Sequence, residues 1–482
     1  GSTRHTAVMV LSRRQFLAGA GALGGVAALT PAASALAQMT RKASVAQPEA
    51  AAPMPLMAPL PPPAQAGFDH IVVLAMENRS FDHMLGWLPG ADGRQGGLSY
   101  PDQAGVRHPT YRLTTFQGCG HQDPNHSYGG ARVEYNGGAC DGWLKVNDPL
   151  SIGYYTQPDL PFLGRAAPAW TVCDNYFAAT LGPTFPNRLY LHSARTDRTS
   201  NSFSLTAMPT IWDRLMAARV PANYYFNDLP FLALWGAKYL GISQTFLQFK
   251  LAAALGTLPA VSYVDPTLGL ELADGLTSDD HPHGDVRNGE AFMNLVYQTV
   301  TTSPNWPRTV LIITFDEWGG FFDHVPPTSA PDTNPALTGL RGFRVPCLVV
   351  SPLAARGAVA HGLYDHTSIL KLIEWRWGLA PLTPRDSAAN NLAEVLDFTQ
   401  PPQLAAPQWK IDFQIALPCL LTGTQPLGPG SKAAPVKAIP SAKATPPVKA
   451  TAPVRATPPA IDQAWSGLRR QATAHGWPVP AG

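Results

Sequence analysis

The chain has 482 residues, 45% of them hydrophobic and 14% charged, a balance that fits a folded protein and argues against a disordered or coiled-coil one. Lys+Arg 35 against Asp+Glu 33 leaves a formal charge of +2, well short of the basic excess that phosphate-backbone binding demands, so nucleic acid is not an expected partner. Gly 42 and Pro 49 without a Gly-X-Y period exclude collagen and suit a loop-rich enzyme with a proline-rich tail.

In chain order, residues 1–37 read as an export signal. Ser12-Arg13-Arg14-Gln15-Phe16-Leu17 is a twin-arginine motif, an apolar run covers 16–29, and Ala35-Leu36-Ala37 is a small-x-small cleavage site. The run is too short and too weakly hydrophobic for a stable transmembrane anchor. The expected partner at this end is the twin-arginine translocon, and the expected location is the bacterial periplasm or the exterior. Residues 38–67 read as a flexible leader and 68–421 as a single catalytic domain. Residues 422–482 form a tail with units such as Lys432-Ala433-Ala434-Pro435 and Lys443-Ala444-Thr445-Pro446. Such a tail is expected to be extended, with a short terminal helix over 461–477.

Within the domain, residues 69–76, 309–315 and 345–350 are continuous apolar runs of strand length. Continuous rather than alternating apolarity predicts burial on both faces, hence an α/β fold: a largely parallel central sheet with helices on both faces. Helical spacing predicts helices over 290–300 (Phe292, Leu295, Val296, Thr299) and 368–377, the latter capped by Thr367 or Ser368. Gly182-Pro183-Thr184-Phe185-Pro186-Asn187-Arg188 reads as a tight turn into a helix over 188–192. The five cysteines (Cys119, Cys140, Cys173, Cys347, Cys419) contain no C-x-x-C pair, which argues against a thiolate zinc cluster. Cys119–Cys140 is the expected disulfide.

Two strands end alike, the first in Glu77-Asn78 and the second in Asp316-Glu317. Open α/β sheets bind ligands at the carboxyl ends of their strands, and four oxygen-bearing side chains on one edge suit a divalent cation. One acid after a strand is commonly only a cap; the case rests on two tips meeting. Thr184 would stand near a helix N-terminus, a natural anion site. A free threonine hydroxyl is a poor nucleophile, but metal coordination lowers its pKa.

These stretches resemble the bacterial phosphoesterase family that holds haemolytic and non-haemolytic phospholipases C and a group of acid phosphatases, within the alkaline-phosphatase-like superfamily. The resemblance is carried in order by Phe68–Leu74 with Glu77-Asn78-Arg79-Ser80-Phe81-Asp82-His83, by Gly182-Pro183-Thr184-x-Pro186-Asn187-Arg188, and by Asp279-Asp280-His281-Pro282-His283. It continues through Asp316-Glu317-Trp318-Gly319-Gly320-Phe321-Phe322-Asp323-His324 to Tyr364-Asp365-His366-Thr367-Ser368. It implies an alkaline-phosphatase-like fold and one divalent metal ion (Ca, Mg, Mn or Zn) on Glu77, Asn78, Thr184, Asp316 and Glu317. Thr184 is implied as nucleophile, with His281, His283, His324, His126 and His121 as catalytic candidates. Asn187, Arg188, Asp123 and Asp280 are the substrate-binding candidates, and His366 matches a motif without a clear role.

The implied activity is phospholipase C hydrolysis of a phosphatidylcholine-like lipid through a phospho-threonine, with Tyr128, Trp143 and Trp318 as candidates to cage a choline head. Acid phosphatase activity at the same site is the alternative. A catalytically dead binding protein is a third reading, disfavoured by the intact ligand set. The tail stands where long haemolytic members carry β-rich domains, which counts against haemolysis. Threonine cannot become formylglycine, which counts against a sulfatase.

Overall fold

The computed structural model describes residues 59–268, 277–416, 419 and 460–479; the twin-arginine motif and the proline-rich repeats lie outside them. The main sheet has eight strands: β1 (His70–Met76), β2 (Thr171–Cys173), β3 (Ala222–Phe226), β4 (Ser243–Thr245), β5 (Val261–Val264), β6 (Thr309–Phe315), β7 (Cys347–Val350) and β8 (Ala358–Ala360). Their order is β8-β2-β7-β6-β1-β5-β3-β4. Neighbours are parallel except around β7, which runs against both β6 and β2. The apolar run at 345–350 therefore predicts double burial correctly but not direction, because continuous apolarity reports two covered faces and nothing more.

β1 and β6 form the middle of the core. Ile71, Val72, Val73, Leu74 and Met76 are fully buried, as are Val310, Leu311, Ile312 and Phe315. Each such side chain contributes about 1.5–3 kcal/mol on burial.

The helices that frame the site are α1 (Phe81–Leu85), α2 (Tyr128–Tyr135), α3 (Thr184–Ser193), α4 (Phe246–Ala254), α5 (Val286–Thr301), α6 (His366–Trp377) and α7 (Ala460–Ala474). α3 starts at Thr184, four residues earlier than expected. Pro186 does not prevent this, because first-turn N–H groups have no intrahelical acceptor to lose. The Asn187 side chain locks the entry turn: its Oδ1 accepts from Thr180 N at 2.9 Å and its Nδ2 donates to Gly182 O at 2.7 Å. α6 is capped by Asp365 rather than Thr367 or Ser368; Asp365 Oδ1 accepts the Thr367 N–H at 2.8 Å. A carboxylate is the stronger acceptor for the orphan N–H groups of a first turn.

α7 packs on the short 3-10 helix Phe231–Trp235 and on α3. Trp465 meets the Phe185 ring edge-on, with centroids 4.9 Å apart, and Trp477 Nε1 donates to Gly236 O at 2.9 Å. The disulfide differs from expectation: Cys119 bonds Cys419, 300 residues away, with Cα atoms 5.3 Å apart. Cys140 is a free buried thiol in a small aromatic cluster with Trp143 and Phe322. Spacing carries no information about a bond that closes so long a loop. No helix among the described residues is long and apolar enough to cross a membrane.

Candidate functional site

Met76 and Phe315 are paired across β1 and β6, so Glu77 and Asp316 leave the sheet side by side. Asp316 N donates to Met76 O at 2.9 Å, Arg79 N to Glu317 O at 3.0 Å and Asn78 N to Asp316 Oδ1 at 3.2 Å. A third segment joins them, with Glu77 N donating to Asp279 O at 2.7 Å. The two tips approach so closely that only glycine fits between them. Gly319 and Gly320 have φ of +64 and +72, and a Cβ at Gly319 would come within 2.6 Å of the Asn78 carbonyl carbon. The Gly-Gly pair of the motif is thus a steric requirement.

α3 brings Thr184 to the same edge. Arg188, one turn further along, lies on the same helical face. Its Nε donates to Asp316 Oδ2 at 3.0 Å, its Nη1 to Asp265 Oδ1 at 3.1 Å, and its Nη2 stands 3.3 Å from Glu77 Oε1. Arg188 is 1% exposed, so its guanidinium is consumed in holding the carboxylates rather than offered to a substrate. Asp265, directly after β5, is missing from the sequence reading. The missed signal is a third acid at a strand tip, and it accepts from Tyr224 as well as Arg188.

Glu77 Oε2, Asn78 Oδ1, Thr184 Oγ1 and Glu317 Oε1 are all buried and make no hydrogen bond, while Glu77 Oε1 is ion-paired with Arg188. Leaving such groups unpaired costs about 1–3 kcal/mol each. Burial, and then the neighbouring Asp316 carboxylate, push Glu77 and Glu317 well above the usual carboxylate range. Burial pushes Asp316 up to about 6 against the pull of Arg188. An oxygen-only set of this kind, with excess negative charge and orphaned atoms, fits a hard divalent cation.

Beside this set stand Asp123, His126 and His281, whose ligand atoms lie within 4.8 Å of one another. His126 Nδ1 donates to Pro124 O at 2.8 Å and His281 Nδ1 to Pro282 O at 3.0 Å. Burial holds both imidazoles below their ordinary pKa. His283 Nε2 donates to His121 O at 3.1 Å, and His121 is raised by its hydrogen bond to Asp148, 3.2 Å away. These two lie at the less buried margin.

The remaining candidates are placed otherwise. His324 bonds Asp82 at 2.6 Å and Asp92 at 3.1 Å, in the ion network around Arg344. Asp280 packs against Gly289 of α5, closer than any side chain there would allow, and its carbonyl accepts from Arg79 at 2.7 Å. His366 Nε2 donates to Phe315 O at 3.1 Å and so ties α6 to the tip of β6; burial pushes it down to about 4.

The expected aromatic cage is not formed. Trp143 and Trp318 are fully buried, with their Nε1 atoms donating to Cys140 O and Glu134 Oε2. The Tyr128 ring already carries the Arg132 guanidinium, 3.2 Å from its centroid.

Comparison with known proteins places the chain among relatives of known name. The phosphoesterase family model matches residues 68–380. Phospholipase C B of Mycobacterium tuberculosis is 33% identical over 432 residues, covering 73% of this chain and 82% of that protein. Hemolytic phospholipase C of Pseudomonas aeruginosa is 30% identical over 419 residues, covering 68% of this chain and 56% of that protein. Among solved structures, the phosphonate monoester hydrolase of Agrobacterium radiobacter covers 69% of this chain and 78% of its own, at 11% identity and a TM-score of 0.35.

Proposed function

The chain belongs to the phosphoesterase family, and from that premise we propose that it is a metal-dependent phosphoric diester hydrolase of the phospholipase C type. The observation that carries the reading is the set of orphaned buried oxygens on Glu77, Asn78, Thr184 and Glu317, gathered at the carboxyl ends of β1 and β6 beside the first turn of α3. A divalent ion held there by Glu77, Asn78, Thr184, Asp316 and Glu317 would lower the pKa of the Thr184 hydroxyl and polarise a phosphoryl oxygen.

Thr184 Oγ1 attacks phosphorus in line. The bond to the diacylglycerol oxygen breaks, and the phosphorylated head group is left on Thr184. Water then releases it and restores the hydroxyl. His126 and His281 each spend their one neutral-form proton on a proline carbonyl. His283 spends its own on His121 O, so the acid for the leaving oxygen is His121, whose protonated form is favoured by its hydrogen bond to Asp148. Arg188 keeps the ligand carboxylates in place. Its charge is already shared among Glu77, Asp316 and Asp265, which leaves little to neutralise the extra charge of a monoester dianion and favours a diester over the acid phosphatase alternative.

Export to the periplasm or beyond through the twin-arginine translocon belongs to the same reading. It is supported by the Arg13-Arg14 motif and by the Cys119–Cys419 disulfide, a bond of oxidising compartments.

The test is activity on phosphatidylcholine beside p-nitrophenyl phosphate, with Thr184→Ala as control. Diacylglycerol release that falls by orders of magnitude in Thr184→Ala, with melting unchanged, is the expected result. Monoester cleavage without lipid turnover would move the protein to the acid phosphatase reading, and a fully active Thr184→Ala protein would overturn the nucleophile.

A further inference from the structure

We infer that the carboxyl edge of the sheet docks on a bilayer of zwitterionic phospholipid through an apolar crown of Phe203, Leu205, Leu247, Leu337, Phe413 and Ile415. The inference rests on the phospholipase reading above and deepens it by naming the surface on which that site works. All six side chains are exposed, Phe413 by 50% and Ile415 by 95%. Single exposed apolar residues are ordinary, but several gathered at one place mark an interaction or membrane site.

Four segments bring the six to the edge that carries Thr184. Phe203 and Leu205 belong to the loop whose Asn201 Oδ1 accepts the Phe185 N–H at 2.8 Å, next to the nucleophile. Phe203 is seated against α7, where a Cβ at Gly467 would come 2.2 Å from its ring. Leu337 O accepts from the Tyr128 hydroxyl at 2.7 Å, and Thr338 O accepts from Thr180 Oγ1 at 3.1 Å, in the entry turn of α3. Gln414 N, between Phe413 and Ile415, donates to Asn288 Oδ1 at 2.7 Å in the first turn of α5. Cys419 then fastens the same segment to Cys119, two residues before His121. Leu247 lies in the first turn of α4, directly after β4. Because β4, β3, β5 and β1 are mutually parallel, that turn stands at the edge where β1 delivers Glu77.

Charge selects the occupant. Within the crown segments Arg198 pairs with Asp197 at 2.6 Å and Lys410 with Asp412 at 3.8 Å. The one charged residue of α4 is Lys250, whose ammonium lies 5.6 Å from the Phe246 ring centroid. A nearly neutral apolar face complements zwitterionic head groups; an anionic leaflet is read by clustered Lys and Arg instead. Position agrees. The scissile phosphoester of a bilayer lipid lies at the depth of its head group, and Thr184 is fully buried. The two meet only where the side chains around the mouth enter the interface, and the strength of such binding follows the apolar area they bury.

The experiment sediments the full chain with sucrose-loaded phosphatidylcholine vesicles, in a Thr184→Ala background so that no lipid is consumed. Binding that survives high salt is expected. Phe413→Ser with Ile415→Ser should lower the partition constant about 10- to 100-fold, and Phe203→Ser, on a separate segment, should lower it as well. Met216→Ser is the control. Met216 is also exposed, but its helix, Ile211–Ala217, leads into the start of β3 at the opposite edge, so partition should not change. In the active protein, the ratio of turnover on vesicles to turnover on monomeric short-chain phosphatidylcholine should fall in step with partition. Failure to sediment, equal partition in the crown and control variants, or binding that requires anionic lipid and is lost in salt would overturn the inference. So would crown variants that split a dimer and leave partition unchanged, which would make a second copy the occupant. Vesicle binding by a protein inactive on every phosphoester would refute the proposed function and leave the docking face standing. Turnover of monomeric lipid without vesicle binding would do the reverse.

Discussion

Replacing Gly319 by alanine tests whether the meeting of two strand tips sets the rate. The added Cβ would lie 2.6 Å from the Asn78 carbonyl carbon and 2.8 Å from its Cα, distances below the 3.0 Å that real Cβ atoms respect. The residue also sits at φ +64, which costs an L side chain about 1–2 kcal/mol. Overpacking against a rigid backbone adds about 1–3 kcal/mol, so a stability loss of about 2–5 kcal/mol is expected. Clearing the carbonyl oxygen as well takes a shift of about 1 Å at Asn78, and a displacement of that size at a positioned group costs roughly 100-fold in rate. Gly378→Ala is the matched control: its φ is +63, yet nothing lies within 4 Å of the new Cβ. It should lose only the conformational part of the stability and none of the activity. The assay pairs urea denaturation with kcat/KM on a soluble short-chain phosphatidylcholine. Gly319→Ala with the turnover of the unaltered protein, or the two variants losing rate equally, would refute the argument.

Four further outcomes are expected. Chelation should abolish turnover and lower the melting temperature, with both restored by a divalent cation, because bound ligand stabilises the folded state by mass action. Cys419→Ser should cost about 2–5 kcal/mol in denaturation, since the bond closes a loop of 300 residues. Asp365 gives an acid-stability signature. Burial opposes its ionisation, but Arg385 and Arg341 outweigh it and hold the carboxyl well below the usual range. Its stabilisation is complete above an unfolded pKa of about 3.9 and is lost as pH falls through the lower folded value. Asp365→Asn should therefore be less stable at neutral pH by about 3–5 kcal/mol, with a flatter decline below pH 4 in acid titration. Thr184→Ser should keep measurable activity where Thr184→Ala does not, a contrast read directly from turnover.

The central strands are legible because burial on two faces leaves an unbroken apolar run, and such a run ends where the chain turns polar at Glu77 and Asp316. The direction of β7 is not legible, because a strand buried on both faces reads the same either way. The start of α3 is hidden by two prolines that look like turn residues until Pro186 is placed in a first turn. Arg188 invites a substrate role on charge alone; only the helical step from Thr184 and the positions of Asp265, Asp316 and Glu77 turn it inward. The pairing of Cys119 depends on where residue 419 returns to the domain, which no local pattern encodes. The aromatic candidates fail for a similar reason: proximity in sequence to a motif does not say which face of the loop is covered.

The central position of β1 has a kinetic consequence. Ile71 pairs with Val261 and His70 with Thr309, so the first strand of the sheet to leave the ribosome waits for both neighbours. At 5–20 residues per second the delay is on the order of ten seconds or more. Throughout it, a strand apolar on both sides has neither edge partnered, the state most open to aggregation. Long sequence separation also slows the search itself. Heterologous yield should therefore respond to chaperone supply and growth temperature more than to surface composition. A chain interrupted before β6 would hold Glu77 and Asn78 but no opposing edge for them, so the carboxylate rim comes into being in one late step.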